Sequence, residues 1–297
     1  MSSYNILLYY KFVPIETPDV FAKEHLEFCR SLDLLGRIII AAEGINGTVS
    51  GLVHNTETYK SAMYKDPRFA DMVFKQDDAD AHAFKRLSVK ARSEIVTFGL
   101  DGIDPNRLTG KYLEPREFYN SLQEEDTVII DARNDYEYDM GHFRNAIRPN
   151  VETFKEFPEW VKRNLADKKN KKILTYCTGG IRCEKFSGFL LQEGFKDVYQ
   201  LHGGIINYSK NPEVQGRLFD GKCYVFDERI AVRANFTEED KIISKCFYCD
   251  IPTDRFVNCA HLDCHSRFFC CENCEKLHRR SCSKACEDAP HHEYPVS

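Results

Sequence analysis

ILTYCTGGIRC, residues 173–183, is the segment that decides the fold of this 297-residue chain. Its first four residues are mostly apolar or β-branched, which is typical of a buried strand, and the two glycines after Cys177 end that strand. A helix is predicted to begin near Cys183. The Cys177 thiol should therefore lie at the carboxyl edge of a parallel sheet, where such folds place their functional sites. We expect solvent to reach it.

An anion-binding loop is predicted here, and its members are Cys177, Thr178, Gly179, Gly180, Ile181 and Arg182. The two glycines let the backbone curl, so that successive N–H groups point at one spot. The positive end of the helix dipole and the Arg182 guanidinium add to this field. All three effects favour a thiolate, which is the nucleophilic form of cysteine, and the same loop would hold a persulfide anion.

The spacing of the loop is C-x4-R, one residue shorter than the C-x5-R ring that cysteine phosphatases use for phosphate. The shorter ring suits sulfur chemistry. The plainer alternative is an incidental cysteine in a solvent-exposed Gly-Gly turn.

Four further residues near this loop have weaker claims to a role. Cys183 is a candidate to resolve an oxidised Cys177, although a small buried residue in the first helical turn is the simpler interpretation. Asp131 and Arg133 end a strand at the same sheet edge, where they either orient the loop or form a structural salt bridge. His142 is interpreted as structural.

Strands and helices alternate on both sides of the loop. The predicted strands cover residues 127–131, 172–176 and 198–201, and the predicted helices cover 160–164 and 184–193. Such alternation is typical of a mainly parallel α/β domain with helices on both faces, predicted here over residues 113–220. Residues 99–112 are a predicted linker, and 221–245 a predicted connector.

The first 98 residues are predicted to form a ferredoxin-like, acylphosphatase-like α+β domain with the order β-α-β-β-α-β. Its central segment EGING, residues 43–47, is interpreted as a turn-rich link in which Gly44 and Gly47 need positive φ. If this domain packs beside the parallel sheet, Glu43 and Asn46 are expected to line the cleft between them.

Composition limits the classes of partner. The chain is 42% hydrophobic and 29% charged with a net charge of −5, so a nucleic-acid partner would need a local basic patch. The apolar residues 6–10 have no basic flank and are too few to span a membrane, and the protein is expected to be cytoplasmic. No nucleotide-binding fingerprint is visible, so no nucleotide cofactor is expected.

Nine of the thirteen cysteines fall between Cys246 and Cys286, which predicts a small metal-binding module over residues 246–297. Two interleaved four-thiolate sites are predicted, with the ligands Cys246, Cys249, Cys259, Cys264, Cys271, Cys274, Cys282 and Cys286. Cys270 is left over. A segment with so few large aliphatic residues needs a structural metal, and zinc is the predicted ion. Free thiols, disulfides and an iron–sulfur cluster are the alternatives, and a histidine could replace a thiolate (His261, His265 or His278).

Basic and aromatic residues interleave in the same module. The aromatic ones are Phe247, Tyr248, Phe256, Phe268 and Phe269, among eight lysines and arginines from Lys241 to Lys284. Such a mixture suits either RNA contact and base stacking or a solvated face around a small aromatic core. A second basic run, residues 162–172, is either a solvated helix end or a region that steers RNA.

Several segments resemble known proteins. Rhodanese domains are matched by Asp131-Ala132-Arg133, by GHFRNAI at 141–147, by the Cys177 loop and by Gly203-Gly204-Ile205. The strings AEGINGT at 42–48 and YCTGGIRCEK at 176–185 resemble a narrower family, the rhodanese-related tRNA uridine hydroxylases of bacteria, and the likeness covers nearly the whole chain. That resemblance implies a small amino-terminal domain, a rhodanese domain and a cysteine-rich tail.

The resemblance also implies an activity, namely oxygen-dependent 5-hydroxylation of the wobble uridine in tRNA. The persulfide-type cysteine of the family falls on Cys177. The implied partners are tRNA and, as co-substrate, molecular oxygen; no membrane and no obligate protein partner are expected. One hypothetical route adds the thiolate to C6 of uracil and so activates C5. The alternatives are a sulfurtransferase that passes sulfane sulfur from Cys177 to cyanide or a carrier thiol, and a non-catalytic zinc-containing adaptor.

Overall fold

The computed structural model describes residues 3–294, and its amino-terminal part is a five-stranded sheet with two helices. The elements are β1 (Tyr4–Phe12), α1 (Pro18–Ser31), β2 (Leu35–Ala41), β3 (Gly44–Leu52), α2 (Val53–Lys65), β4 (Lys75–Ala79) and β5 (Leu87–Ala91). The strand order β4-β1-β3-β2 is the predicted ferredoxin-like order, which is confirmed. An additional strand, β5, pairs in parallel with β2 and extends the sheet.

Alternation along β1 gives this sheet two different faces. Leu7 and Tyr9 are buried in the core with the two helices, whereas Leu8 and Tyr10 point to the opposite face. Because side chains alternate along a strand, every second residue of β2 and β3 also faces away from the helices. That second face packs on the central part of the chain.

The interpretation of residues 43–47 as a turn-rich link is wrong in part. The turn consists of Ala42 and Glu43 alone, because β3 begins at Gly44. Gly44 has the predicted positive φ, at +147°, but Gly47 does not. A Cβ at Gly47 would lie 2.4 Å from the Tyr9 hydroxyl oxygen. Glycine is needed at that position to make room for the phenol ring.

The central part is a four-stranded parallel sheet with the order β6-β10-β9-β7, so the predicted parallel α/β arrangement is confirmed. Its elements are β6 (Lys111–Leu113), α3 (Pro115–Ser121), β7 (Thr127–Asp131), α4 (Asp135–Met140), β8 (Gly141–Phe143), α5 (Phe157–Asn164), β9 (Lys172–Tyr176), α6 (Ile181–Gln192), β10 (Asp197–Leu201) and α7 (Gly204–Lys210). In β9, Ile173 packs with α5 and α6 on one face, and Leu174 packs with α3 and α7 on the other.

The carboxyl-terminal part contains β11 (Phe219–Tyr224), β12 (Ala231–Arg233), β13 (Phe256–Asn258), β14 (Arg267–Phe269), α8 (Glu272–Leu277) and α9 (Lys284–Glu287). Strand β11 joins β8 and β12 in a small sheet, and β13 pairs with β14. Phe256 is buried beside Met140 and Tyr224, and Phe268 is buried among the cysteines, so neither ring is free to stack on bases. Across residues 3–294, every helix is too short or too polar to cross a membrane.

The predicted boundaries of the three domains, the linker and the connector stay predictions. Positions 1, 2 and 295–297 of the predicted ranges lie outside the described residues.

A buried lysine joins the amino-terminal and central parts. Lys185 on α6 is 2% exposed, and its Nζ lies 2.8 Å from Glu43 and 2.7 Å from Glu94. Glu43 also accepts a hydrogen bond from the Ile95 N–H. Glu43 therefore anchors the amino-terminal part and does not line the cleft, contrary to the expectation from sequence.

Replacing Lys185 with methionine is expected to lower the free energy of unfolding by about 3 kcal/mol, because the two carboxylates lose their shared buried cation. Urea unfolding followed by circular dichroism measures the loss. Lys162→Met removes an exposed lysine and should change stability by less than about 0.5 kcal/mol. Equal unfolding midpoints for the two variants would contradict the anchoring role.

Candidate active site

The Cys177 loop connects β9 to α6, which begins at Ile181. The Gly180 N–H donates a hydrogen bond to Cys177 Sγ at 3.1 Å. Gly180 has a φ of +106°, which favours glycine, and a Cβ there would lie 2.8 Å from the Tyr10 hydroxyl oxygen. The Ile205 N–H, at the start of α7, donates to the Cys177 carbonyl oxygen and fixes the loop from the other side.

The surroundings of Cys177 favour its ionised form. Burial opposes ionisation, but the hydrogen bond from the Cys183 side chain, the Arg182 charge and the N–H groups of Cys183 and Gly180 outweigh it. Together they lower the pKa of Cys177 to about 5. Burial and the neighbouring Cys177 raise the pKa of Cys183, so Cys183 keeps its proton. The loop therefore holds a thiolate beside a thiol at neutral pH.

The Arg182 guanidinium does not donate its paired hydrogen bonds to the Cys177 sulfur. Its two terminal nitrogens bind the two carboxylate oxygens of Glu137, at 2.6 and 2.9 Å. Burial opposes ionisation of Glu137, but the charge and hydrogen bonds of Arg182 outweigh it and lower the pKa of that carboxyl. Sequence reasoning missed Glu137. The available signal was the capping box of α4, formed by Asn134 and Glu137.

Asp131 and Arg133 form an ion pair at 2.6 Å and are completely buried. Arg133 also donates to the Gly141 carbonyl oxygen, at 2.6 Å. This geometry ties the end of β7 to the start of β8, as a structural salt bridge would. His142 Nδ1 lies 2.9 Å from the Tyr138 carbonyl oxygen, and its ring stacks on the Tyr138 ring.

A cavity of about 550 Å³ lies between the loop and the second face of the amino-terminal sheet. It is lined from the loop by Cys177, Thr178, Gly179, Ile181 and Arg182, and from the sheet by Leu8, Tyr10, Arg37, Ile39, Asn46 and Thr48. Asn46 thus lines the cleft as expected. Cys177 itself is only 1% exposed, less than the sequence led us to expect. The cavity gives a reactant a route to the sulfur.

Lys75 is a second residue that sequence reasoning missed. It lies on β4, and its Nζ donates to the Gly179 carbonyl oxygen at 2.9 Å. Burial lowers the pKa of Lys75 to about 8, and the neighbouring Cys177 and Glu184 charges oppose that lowering. No motif surrounds Lys75, so only the packing of the two sheets reveals that it contacts the loop.

The eight predicted cysteine ligands come together in two groups in the carboxyl-terminal part. One group is Cys246, Cys249, Cys271 and Cys274, and the other is Cys259, Cys264, Cys282 and Cys286; within each, the sulfurs lie within 4.8 Å of one another. The groups interleave along the chain as predicted, and Cys270 belongs to neither. Four clustered thiols are a donor set for one metal ion, and both groups can hold one.

Three protein families match successive parts of the chain. Residues 4–95 match the family described as UPF0176 acylphosphatase like domain, residues 114–211 match Rhodanese-like domain, and residues 220–287 match Rhodanase C-terminal. The predicted acylphosphatase-like and rhodanese folds are thereby confirmed.

Similar full-length proteins carry one name. A protein of Bacillus licheniformis named tRNA uridine(34) hydroxylase is 57% identical, and the match covers 99% of this chain and 91% of that protein. Proteins of the same name from Bacillus mycoides and Bacillus cytotoxicus are also 57% identical, over 99% and 98% of this chain and 92% and 90% of theirs.

Alkylation of Cys177 by iodoacetamide is expected to have its midpoint near pH 5, because the thiolate is lost as pH falls through its pKa. Peptide mass spectrometry distinguishes Cys177 from the other cysteines. The Cys183→Ala variant loses a hydrogen bond to the sulfur and should have a higher midpoint. Cys29, whose pKa burial raises to about 12, serves as the unreactive internal control. An alkylation midpoint at about pH 8.5, the pKa of free cysteine, would contradict the assignment of Cys177 as a thiolate at neutral pH.

Proposed function

Because the chain belongs to the tRNA uridine(34) hydroxylase family, we propose that it hydroxylates uridine 34 of tRNA and that Cys177 is its reactive group. The relatives match almost the full length of the chain, and the Cys177 cavity supports the assignment of the reactive residue. The oxygen enters at C5 of the uracil ring, and molecular oxygen supplies it. Since the substrate is tRNA, the protein acts in the cytoplasm.

The cavity suits a single base turned out of the anticodon loop. Its volume of about 550 Å³ is in the range of small-ligand sites. Bases in single-stranded loops are readily unstacked, so a uracil can enter with little cost in lost pairing. Leu8, Ile39 and Val96 offer apolar surface for its faces, and Asn46 and Thr48 offer polar atoms for its edge.

In this proposal Cys177 makes C5 nucleophilic. The thiolate adds to C6, a C–S bond forms, and the electron pair of the C5–C6 bond moves toward the C4 carbonyl. C5 then takes up one oxygen atom; its proton leaves, the C–S bond breaks, and the thiolate is released. The balance requires one O₂, two protons and two electrons from an external reductant, and the second oxygen atom becomes water.

The neighbouring residues have positioning roles in this scheme. Glu137 holds the Arg182 guanidinium in one orientation, and the Arg182 charge favours the thiolate both before addition and after release. Cys183 keeps its proton and donates a hydrogen bond to the sulfur, so no resolving role is assigned to it. Thr178, Gly179, Gly180 and Ile181 form the anion-binding loop, and Arg133, paired with Asp131, lies over the ring of Tyr176, the residue before the loop.

Each part of the chain has its own task. Of the described residues, 3–98 cover the reactive loop, 113–220 carry it, and 246–294 form the metal-binding module. Residues 99–112 and 221–245 connect them.

The metal-binding module holds two structural zinc ions, one in each group of four cysteines. Four thiolates fill the tetrahedral coordination of zinc and leave no open position for chemistry. With Zn–S bonds of about 2.3 Å, a tetrahedron places its sulfurs about 3.8 Å apart. Sulfur pairs in the two groups lie at 3.7 Å (Cys249 and Cys271) and 3.5 Å (Cys264 and Cys282), which suits a single ion better than a larger iron–sulfur cluster.

The zinc assignment predicts the metal content of two matched variants. Elemental analysis of the purified chain should find two zinc ions, one for each cysteine group. Cys264→Ser should lower the content to one ion, because a four-thiolate site loses a ligand. Cys270→Ser should keep both, since Cys270 lies outside both groups. Iron in place of zinc would contradict the assignment.

The function is tested by mass spectrometry of tRNA nucleosides from cells that lack the gene. Wild type should restore 5-hydroxyuridine, and Cys177→Ser should not, because a serine hydroxyl is not ionised at neutral pH. Cys29→Ser, a buried cysteine far from the loop in sequence and in a different core, should restore it fully. Unchanged nucleosides together with strong thiosulfate:cyanide activity would favour the sulfurtransferase instead. Full rescue by Cys177→Ser would exclude both enzyme functions and favour an adaptor.

A further inference from the structure

A second and larger cavity, the basic groove, lies beside the Cys177 cavity. Its volume is about 740 Å³, and three parts of the chain form it: the β2–β5 edge of the amino-terminal sheet, the segment 224–230, and the β13–β14 hairpin. The proposed hydroxylation at Cys177 does not involve this cavity.

The groove is rich in positive charge, although the whole chain has a net charge of −5. Its basic residues are Arg37, Lys85, Arg86, Lys90, Arg92 and Arg267. Its two acidic residues are already paired, Glu228 with Lys85 at 2.9 Å and Asp227 with Arg229 at 2.7 Å. Within residues 3–294, the other five cations have no carboxylate oxygen within 4.0 Å.

Strand register explains how these charges come together. Strand β2 pairs in parallel with β5, so that Arg37 lies opposite Ser88, and Ile39 opposite Lys90. The intervening Ile38 and Val89 point into the core with the helices. Arg37 and Lys90 therefore project from the second face of the sheet, where they line the groove. Arg86 and Arg92 flank β5 in the chain and are exposed.

The carboxyl-terminal part supplies the opposite wall. Arg267 on β14 is exposed, and one of its terminal nitrogens donates to the Tyr224 hydroxyl at 2.7 Å. Three other basic residues of the carboxyl-terminal part form ion pairs: Arg255 with Glu275, Arg280 with Glu293 and Lys284 with Glu287. Arg267 is the residue of these four that lines the groove.

The basic groove is continuous with the Cys177 cavity. Four residues line both: Arg37, Ile39, Phe84 and Phe226. Phe226 is 49% exposed, and the Arg182 guanidinium lies 5.9 Å from its ring centre. An exposed aromatic ring at the junction offers a surface on which an unpaired base can stack.

We propose that the basic groove binds the sugar–phosphate backbone of the tRNA anticodon loop, which places the target base at the mouth of the Cys177 cavity. This inference rests on the proposed function. The unpaired cations attract phosphate groups, and the Phe226 ring at the junction can stack on a base. The groove leads from there into the cavity that contains the Cys177 sulfur. An acidic protein would satisfy the charges alone, so RNA is the occupant that accounts for all three features.

The test compares two variants that lose the same charge. The groove variant is Arg86→Ala, Lys90→Ala and Arg92→Ala combined; all three side chains are exposed, so the fold should be retained. The control variant is Lys162→Ala, Arg163→Ala and Lys171→Ala combined, in which each cation already pairs with a carboxylate. The Kd for tRNA is measured by filter binding over a range of KCl concentrations, with Cys177→Ser included as a catalytically inactive binder.

The groove variant should bind tRNA about 100-fold more weakly at about 0.1 M salt, and its slope of log Kd against log salt should fall by about two, as expected for three lost phosphate contacts to a single strand. The control variant and Cys177→Ser should bind like wild type. If the groove variant binds like wild type while wild type still forms 5-hydroxyuridine, the groove assignment is wrong and the function stands. If wild type neither binds nor modifies tRNA, the function itself fails, and an acidic protein becomes the preferred occupant.

Discussion

A sulfur atom that is almost completely buried stays ionised only when fixed dipoles and charges replace the water it has lost. Here the Gly180 N–H, the Cys183 side chain and the Arg182 guanidinium supply that replacement for Cys177. The guanidinium is buried as well and needs a carboxylate of its own, which Glu137 provides. The ionised state of this sulfur therefore depends on an ion pair that connects α6 to α4. The chemistry of the loop cannot be separated from the packing of the central part.

The same burial accounts for the close docking of the amino-terminal sheet. Leu8 and Tyr10 of β1 approach the loop so closely that a Cβ at Gly179 or Gly180 would lie within 3.0 Å of them. Lys75 and the buried Lys185 add polar contacts between the two parts. With the sheet in place, the loop faces a partly enclosed cavity, and electrostatic interactions are stronger where water is excluded.

The carboxyl-terminal part builds a core from sulfur where other small domains use aliphatic side chains. Two groups of cysteines and the buried Phe268 occupy its centre. This module places Arg267 beside the edge of the amino-terminal sheet. The overall negative charge and the local positive groove are thus compatible, because the fold gathers a few cations from distant parts of the sequence into one place.

The sequence by itself determined the features that depend on neighbours along the chain. These are the strand–loop–helix around Cys177, the alternation that makes a parallel sheet, the ferredoxin-like order and the eight clustered cysteines. Only the tertiary structure decided which partners meet across the chain: Glu137 with Arg182, Lys75 with the loop, Lys185 with Glu43, and the cations of the groove with one another. Secondary structure is determined by backbone geometry within a few residues, so sequence patterns predict it. The pairings depend on how separate sheets pack against each other, and sequence periodicity does not predict that packing.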